Sequence, residues 1–303
     1  MATNGRASTV RRRKDLALDA LGRALRLRGE MGIKPQAPAP VFDVIDRLGI
    51  KLSFMPIPSL EGVYQGQPNP VILVSSDRPP GRQAYTGAHE LGHYVYGHGV
   101  AVGVASDDVG QEPPESAGPE EYLADRFAGF FLMPKTAVKH GFRARGWEPR
   151  DCTPRQVYTV AGWLGVGYTA LVHHMRGSLR MLTYPQSARL LKATPRDIRT
   201  SILGRKVREN LFVVGEKWTD RAVDVQVGDL ILLPSGTHHE AKNLRVVEET
   251  EAAVLLAATA PGIGRVYRPE SGWAAFVRAS RRNYVGLGPY RHWEDPDYEV
   301  EDG

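Results

Sequence analysis

The chain has 303 residues, 42% hydrophobic and 24% charged, with a net charge of +5 and a sequence pI of about 9.3. That length and balance suit a soluble protein of one to three domains and leave no room for a disorder-dominated chain. No apolar run approaches the roughly 20 residues needed to span a bilayer. No apolar segment of signal-peptide type follows the basic start at Met1–Arg13, so a cytoplasmic protein is expected. Cys152 is the single cysteine, which excludes an intrachain disulfide framework and fits a reducing compartment.

Residues 1–7 read as irregular, and 8–29 as a basic helix with Leu18, Leu21 and Leu25 on one face. Its arginines are read as a solvated face rather than as a nucleic-acid arm. Pro35, Pro38 and Pro40 end it, and a short helix is expected from Val41 to Leu48. Runs at 51–56, 62–65 and 71–74, separated by Gly, Pro and Asn, read as a small antiparallel sheet. A helix follows over about 82–97. Residues 101–119 carry no periodicity and read as a loop, and the next helix spans about 119–132. Thr153-Pro-Arg-Gln156 has the form of a helix start, with Thr as N-cap and Gln reaching back. Helices continue to about Met175, broken at Gly165-Val-Gly167, and another opens at Thr194-Pro-Arg-Asp197 and runs to about Glu209.

From Leu211 onward short apolar runs alternate with turn residues, which predicts a second, mainly β region; Asp224–Pro234 reads as strand, Gly-Asp turn, strand. The expected fold is therefore α+β: a mainly helical domain with a small sheet over 8–180, including a helix-turn-helix-like segment at 153–180. A basic helical linker over 181–209 and a mainly β domain over 210–292 follow it. The acidic end after Trp293 reads as loose.

The chemistry concentrates at His89-Glu-Leu-Gly-His93. Histidines four apart on a helix share one face and reach one Zn2+. The glutamate after the first histidine, Glu90, is placed as general base for a water activated by the metal. A catalytic zinc takes three protein ligands, so the third comes from elsewhere. His98, five residues after His93, falls about 140° off the ligand face of a continuous helix and is set aside. The next helix offers Glu121 as ligand and Asp125, four residues on, as hydrogen-bond acceptor for a ligating histidine; two solvent-facing carboxylates in a first helical turn are the plain alternative. The same donor set accepts Mn2+, since selectivity follows geometry and metal supply.

Tyr64, Tyr85 and His140 are candidates to stabilise a developing oxyanion. In the helix-turn-helix-like segment, Tyr168, Thr169, His173, His174 and Arg176 are candidates for DNA contact. His238-His239-Glu240 lies in a predicted strand, where adjacent histidines point to opposite faces and do not share a metal.

Three stretches together resemble the ImmA/IrrE family of bacterial metallopeptidases: Glu61-Gly-Val-Tyr64, Tyr85–His93, and Glu121-Tyr-Leu-Ala-Asp-Arg-Phe-Ala-Gly-Phe-Phe-Leu-Met-Pro134. The resemblance implies a gluzincin-like domain with zinc on His89, His93 and Glu121. It also implies cleavage of a helix-turn-helix transcriptional repressor in a stress or mobile-element response. Two departures stand out: Gly87, where the family often has a larger apolar residue, and His98, one position further out than the trailing histidine expected. The β region has no counterpart in the resemblance and is read as a sensor or docking domain. Two other readings stay open: a DNA- or protein-binding regulator that keeps the zincin scaffold for structure or partner binding, and the toxin of a toxin-antitoxin-like pair with broad proteolysis.

Overall fold

The computed structural model describes residues 2–104 and 118–293, with backbone only for 2–10 and 104. Helix α1 (Ala2–Glu30) begins within the stretch expected to be irregular. Its buried face is Ala20, Ala24 and Leu27, whereas Leu18 and Leu25 are exposed. The buried stripe is thus rotated from the expected leucines, and α1 packs against the later helix α4 (Pro119–Leu132). Arg28 enters that interface and donates to the carbonyls of Phe131 at 2.7 Å and Ala37 at 2.5 Å, which satisfies the end of α4.

Helix α2 (Val41–Arg47) leads into β1 (Lys51–Met55), β2 (Leu60–Gln65) and β3 (Val71–Ser75), then helix α3 (Pro80–Tyr96) and strand β4 (Val100–Val104). The first sheet has the order β13-β1-β3-β2-β4, with β13 at Gly286–Leu287. Strand β3 inserts between β1 and β2, parallel to β1 and antiparallel to β2, so the expected all-antiparallel sheet is mixed. Alternating burial records which face of a strand is covered, not which strand lies beside it. Residues 101–104, the start of the expected loop, lie in β4 and pair with β2. The rest of that loop, 105–117, and the acidic end, 294–303, lie outside the described residues.

Helices α5 (Lys135–Arg143), α6 (Pro154–Leu164), α7 (Tyr168–Gly177), α8 (Tyr184–Leu191) and α9 (Pro195–Leu203) follow. Thr153 caps α6 in a complete capping box with Gln156, and Thr183 and Thr194 do the same for α8 and α9. The linker expected at 181–209 is therefore two capped helices, with helical structure ending at Leu203.

The strand-rich part forms two four-stranded sheets. One is β5 (Leu211–Val213), β7 (Leu230–Pro234), β10 (Ala253–Ala258) and β9 (Leu244–Glu249), in that order. The other is β6 (Val223–Gln226), β12 (Trp273–Ser280), β11 (Gly262–Arg268) and β8 (His238–His239). This half is tied to the helical half at two places. Strand β13 pairs with β1. Arg278 binds Asp43 on α2 at 3.0 Å and Asp224 on β6 at 2.6 Å, while Arg291 also reaches Asp43. One continuous apolar core runs through both halves.

Candidate metal centre

Helix α3 lies between the first sheet and α4, and three glycines set the distances. A Cβ on Gly92 would lie 2.9 Å from the Ala124 Cα, so α3 and α4 touch backbone to backbone there. On the sheet side, a Cβ on Gly62 would meet Thr86 and the Glu90 carboxylate. At Gly87 the Phe42 ring of α2 occupies the space of a side chain, 2.8 Å from a built Cβ. This accounts for a glycine where the resemblance leads one to expect a larger residue: the apolar volume is supplied by Phe42 instead. Glu61, buried on β2, accepts from Arg82 twice at 2.8 Å and from Arg78 at 3.0 Å, pinning the sheet to the start of α3.

That packing brings His89 and His93 of α3 against Glu121 in the first turn of α4. Their Nε2 atoms are 3.1 Å apart; Glu121 Oε2 is 3.2 Å from His89 Nε2, and Oε1 is 3.5 Å from His93 Nε2. Donors at about 2.0–2.1 Å from a tetrahedral zinc lie about 3.3–3.4 Å from one another. Two imidazoles and a carboxylate already at that separation fit the metal, and among the described residues this is the one such cluster. His93 is buried, His89 is less so, and the Glu121 side chain is 46% exposed, so the cluster opens to solvent on the α4 side.

The electrostatics follow from crowding. Burial and the charge on His89 hold the His93 imidazole well below its ordinary value, which favours the neutral ring that a metal requires. Burial works against charge on His89 too, but the Glu121 hydrogen bond and the charges of Glu90, Glu121 and Asp125 outweigh it and raise its pKa. The hydrogen bond from His89 lowers that of Glu121, against the effect of burial.

Glu90 is 1% exposed, and among the described residues neither carboxylate oxygen has a hydrogen-bond partner. Its Oε1 faces Gly62 of β2 and Gly103 of β4, where any side chain would crowd it. Burial pushes this carboxyl up to about 7, against the pull of His89. A carboxyl that changes protonation near neutral pH, with no partner to lose, can take and return a proton at little cost.

His98 is the residue that the rotation argument passed over. Helix α3 does not continue to it. Gly97 adopts the left-handed conformation at φ 67° and the His98 amide donates to the His93 carbonyl, a Schellman-type ending that folds the chain back. His98 Nδ1 therefore lies 2.8 Å from His93 Nδ1. A metal held by His93 Nε2 would leave the ring proton on Nδ1, from which it would be donated to His98. Tyr96 stacks on the His98 ring and donates to Asp19 of α1. The glycine after the last helical residue was the available sequence signal.

Asp125 is close, but its carboxylate accepts from the Tyr85 hydroxyl at 2.8 Å and pairs with Arg126 at 3.0 Å rather than bonding either histidine. Of the oxyanion candidates, Tyr64 is buried and stacks on His93, the Tyr85 hydroxyl is committed to Asp125, and His140 lies exposed against Trp163. The face of α7 expected to be displayed is largely covered: Tyr168, His173 and His174 are buried, and His174 bonds the Met133 carbonyl. His238 and His239 sit on β8 outside any cluster of metal-binding donors.

Residues 45–176 match the family described as Peptidase_M78, IrrE N-terminal-like domain. The matched span contains both histidines, Glu90 and Glu121. No curated protein matches the chain.

Proposed function

We propose, from the match of residues 45–176 to the IrrE N-terminal-like peptidase family, that the chain is a zinc endopeptidase that cuts a regulatory protein, a helix-turn-helix transcriptional repressor. The observation that carries this is the pairing of a three-donor cluster with a buried glutamate, on the helix of its two histidines, that has no hydrogen-bond partner among the described residues. His89, His93 and Glu121 would hold the zinc, which as a Lewis acid polarises a carbonyl and acidifies water. Glu90 takes the proton of the attacking water on its carboxylate and returns it to the departing amine nitrogen. One C–O bond forms, the peptide C–N bond breaks, and Glu90 ends as it began. His98 keeps the His93 ring in the tautomer that presents Nε2.

The choice of a repressor as substrate rests on the family resemblance of the three motifs, and cytoplasmic action rests on the cysteine usage. Among the described residues no helix is long and apolar enough to cross a membrane. The burial of α7 argues against a version of the regulator reading in which this helix reads bases.

The test is a comparison of new protein N-termini in cells expressing wild type or Glu90→Gln. The reading expects new N-termini inside helix-turn-helix regulators with wild type alone, while both proteins hold equal zinc. Identical N-terminal profiles for the two would overturn it.

A further inference from the structure

Helix α5 buries Ala137, Val138, Gly141 and Phe142 and turns Lys135, Lys139 and Arg143 outward. These three are four residues apart, so their origins step about 6 Å along the axis. Arg150, from the turn after α5, and Arg180, from the loop after α7, converge with them around a concavity of about 310 Å3. Glu148 is the single carboxylate of its lining, and it pairs with Arg143 at 3.5 Å on the surface. The wall thus carries five cations against one anion, four of the chain's net +5. Among the described residues, Lys135, Lys139, Arg150 and Arg180 have no carboxylate partner.

Arg180 has a second peculiarity. Its φ is 52°, in the left-handed region that a residue with a side chain seldom enters. Leu179 and Met181 on either side are buried, which holds the exposed arginine at the rim. An exposed arginine held in this conformation adds a fifth cation to a wall that carries one carboxylate.

We propose that this concavity docks the phosphate backbone of nucleic acid, without sequence preference. The lining offers charge but no aromatic ring for base stacking and no side chain able to accept from a base apart from the paired Glu148. The neighbouring α7 is buried and cannot enter a groove. The second basic groove, around Arg205, Lys206, Arg245, Arg281 and Arg282, is a weaker candidate, because Arg205 pairs with Glu248 and Arg282 approaches Asp229. The proposed site sits past the C-terminal end of α4, and Glu121 is at the other end, about 17 Å away along the helix. The two sites lie at opposite ends of α4, and the inference stands apart from the peptidase reading.

The test is fluorescence anisotropy of two unrelated labelled duplexes of about 30 bp with the full chain, from about 50 to 200 mM salt. Wild type should bind both equally, with log K falling against log salt at a slope of about −3.6 to −4.5 for four or five phosphate contacts. Lys139→Glu with Arg180→Glu should weaken binding at least tenfold and flatten the slope by about 2. Lys206→Glu with Arg245→Glu, the same charge change elsewhere, should stay within about threefold. Lys139→Gln with Arg180→Gln repeats the comparison with a milder change, and circular dichroism confirms that each variant folds. No duplex binding by wild type, equal losses in both double variants, or tighter binding of polyglutamate than of duplex would each overturn the proposal.

Discussion

Gly92→Ala tests whether the backbone contact between α3 and α4 sets the metal site. The new Cβ would lie 2.9 Å from Ala124 Cα, 3.1 Å from its carbonyl oxygen and 3.3 Å from its Cβ. Carbon atoms rest at about 3.5–4.0 Å, so the helices must part by roughly 0.6–1 Å. Overpacking of this kind costs about 1–3 kcal/mol, and the helix propensity of alanine over glycine returns about 1 kcal/mol. The net expectation is a loss of about 0–2 kcal/mol in urea denaturation of the metal-free protein. The larger effect falls on the site. Glu121 is three residues from Ala124 on the same rigid helix, so its carboxylate moves away from His89 and His93, now 3.2 and 3.5 Å distant. Zinc affinity, read by competition with a chromophoric chelator, should fall at least tenfold. A variant about 1 kcal/mol more stable than wild type with unchanged zinc affinity would refute the reasoning, since alanine would then have met no backbone.

Three further outcomes follow from the same structure. His98→Ala removes the acceptor for His93 Nδ1 and should weaken zinc about 10–100-fold, with His98→Asn recovering part of it; equal affinities in all three proteins would show that the 2.8 Å contact has no role in binding. Asp229 is fully buried and its carboxyl is raised to about 6. An ordinary Asp titrates near 3.9, so the native state binds the extra proton between about pH 4 and 6 and loses stability as pH rises through that window. At about 1.4 kcal/mol per unit the bound is roughly 3 kcal/mol, so Asp229→Asn should gain on wild type by up to that amount from pH 4 to 7 in urea denaturation; parallel pH profiles would contradict it. Glu61→Gln leaves Arg78 and Arg82 without their shared carboxylate and should cost about 2 kcal/mol in the same assay, with no change signalling a solvated pair.

What could be read from the residues alone was local. His89 and His93 face together because any helix puts residues four apart on one side. The threonine caps at 153 and 194 announce their helices, since Pro and a returning side chain follow at fixed offsets. Glu121 was reachable because α4 was legible as the next helix, and the motif resemblance pointed to the same position. Readings that needed a tertiary partner went astray. The buried stripe of α1 runs through Ala20, Ala24 and Leu27 rather than Leu18 and Leu25, a choice set by where α4 lies and not by helical spacing alone. Asp125 had two competing donors, Tyr85 and Arg126, that no spacing reveals. His98 was judged on a helix that Gly97 ends. Strand β11 passed unnoticed because Gly262 and Gly264 interrupt its alternation, yet a Cβ on Gly264 would collide with Ala241, so that glycine is part of the packing. The pairing of β13 with β1 joins residues more than two hundred positions apart, beyond any local pattern.

The central claim is that His89, His93 and Glu121 hold one metal. Elemental analysis of purified wild type, His93→Ala and Glu121→Ala after zinc loading and desalting tests it most directly. The account predicts about one zinc per chain in wild type and a marked loss in both variants. Wild type without zinc, or variants that retain it in full, would contradict it.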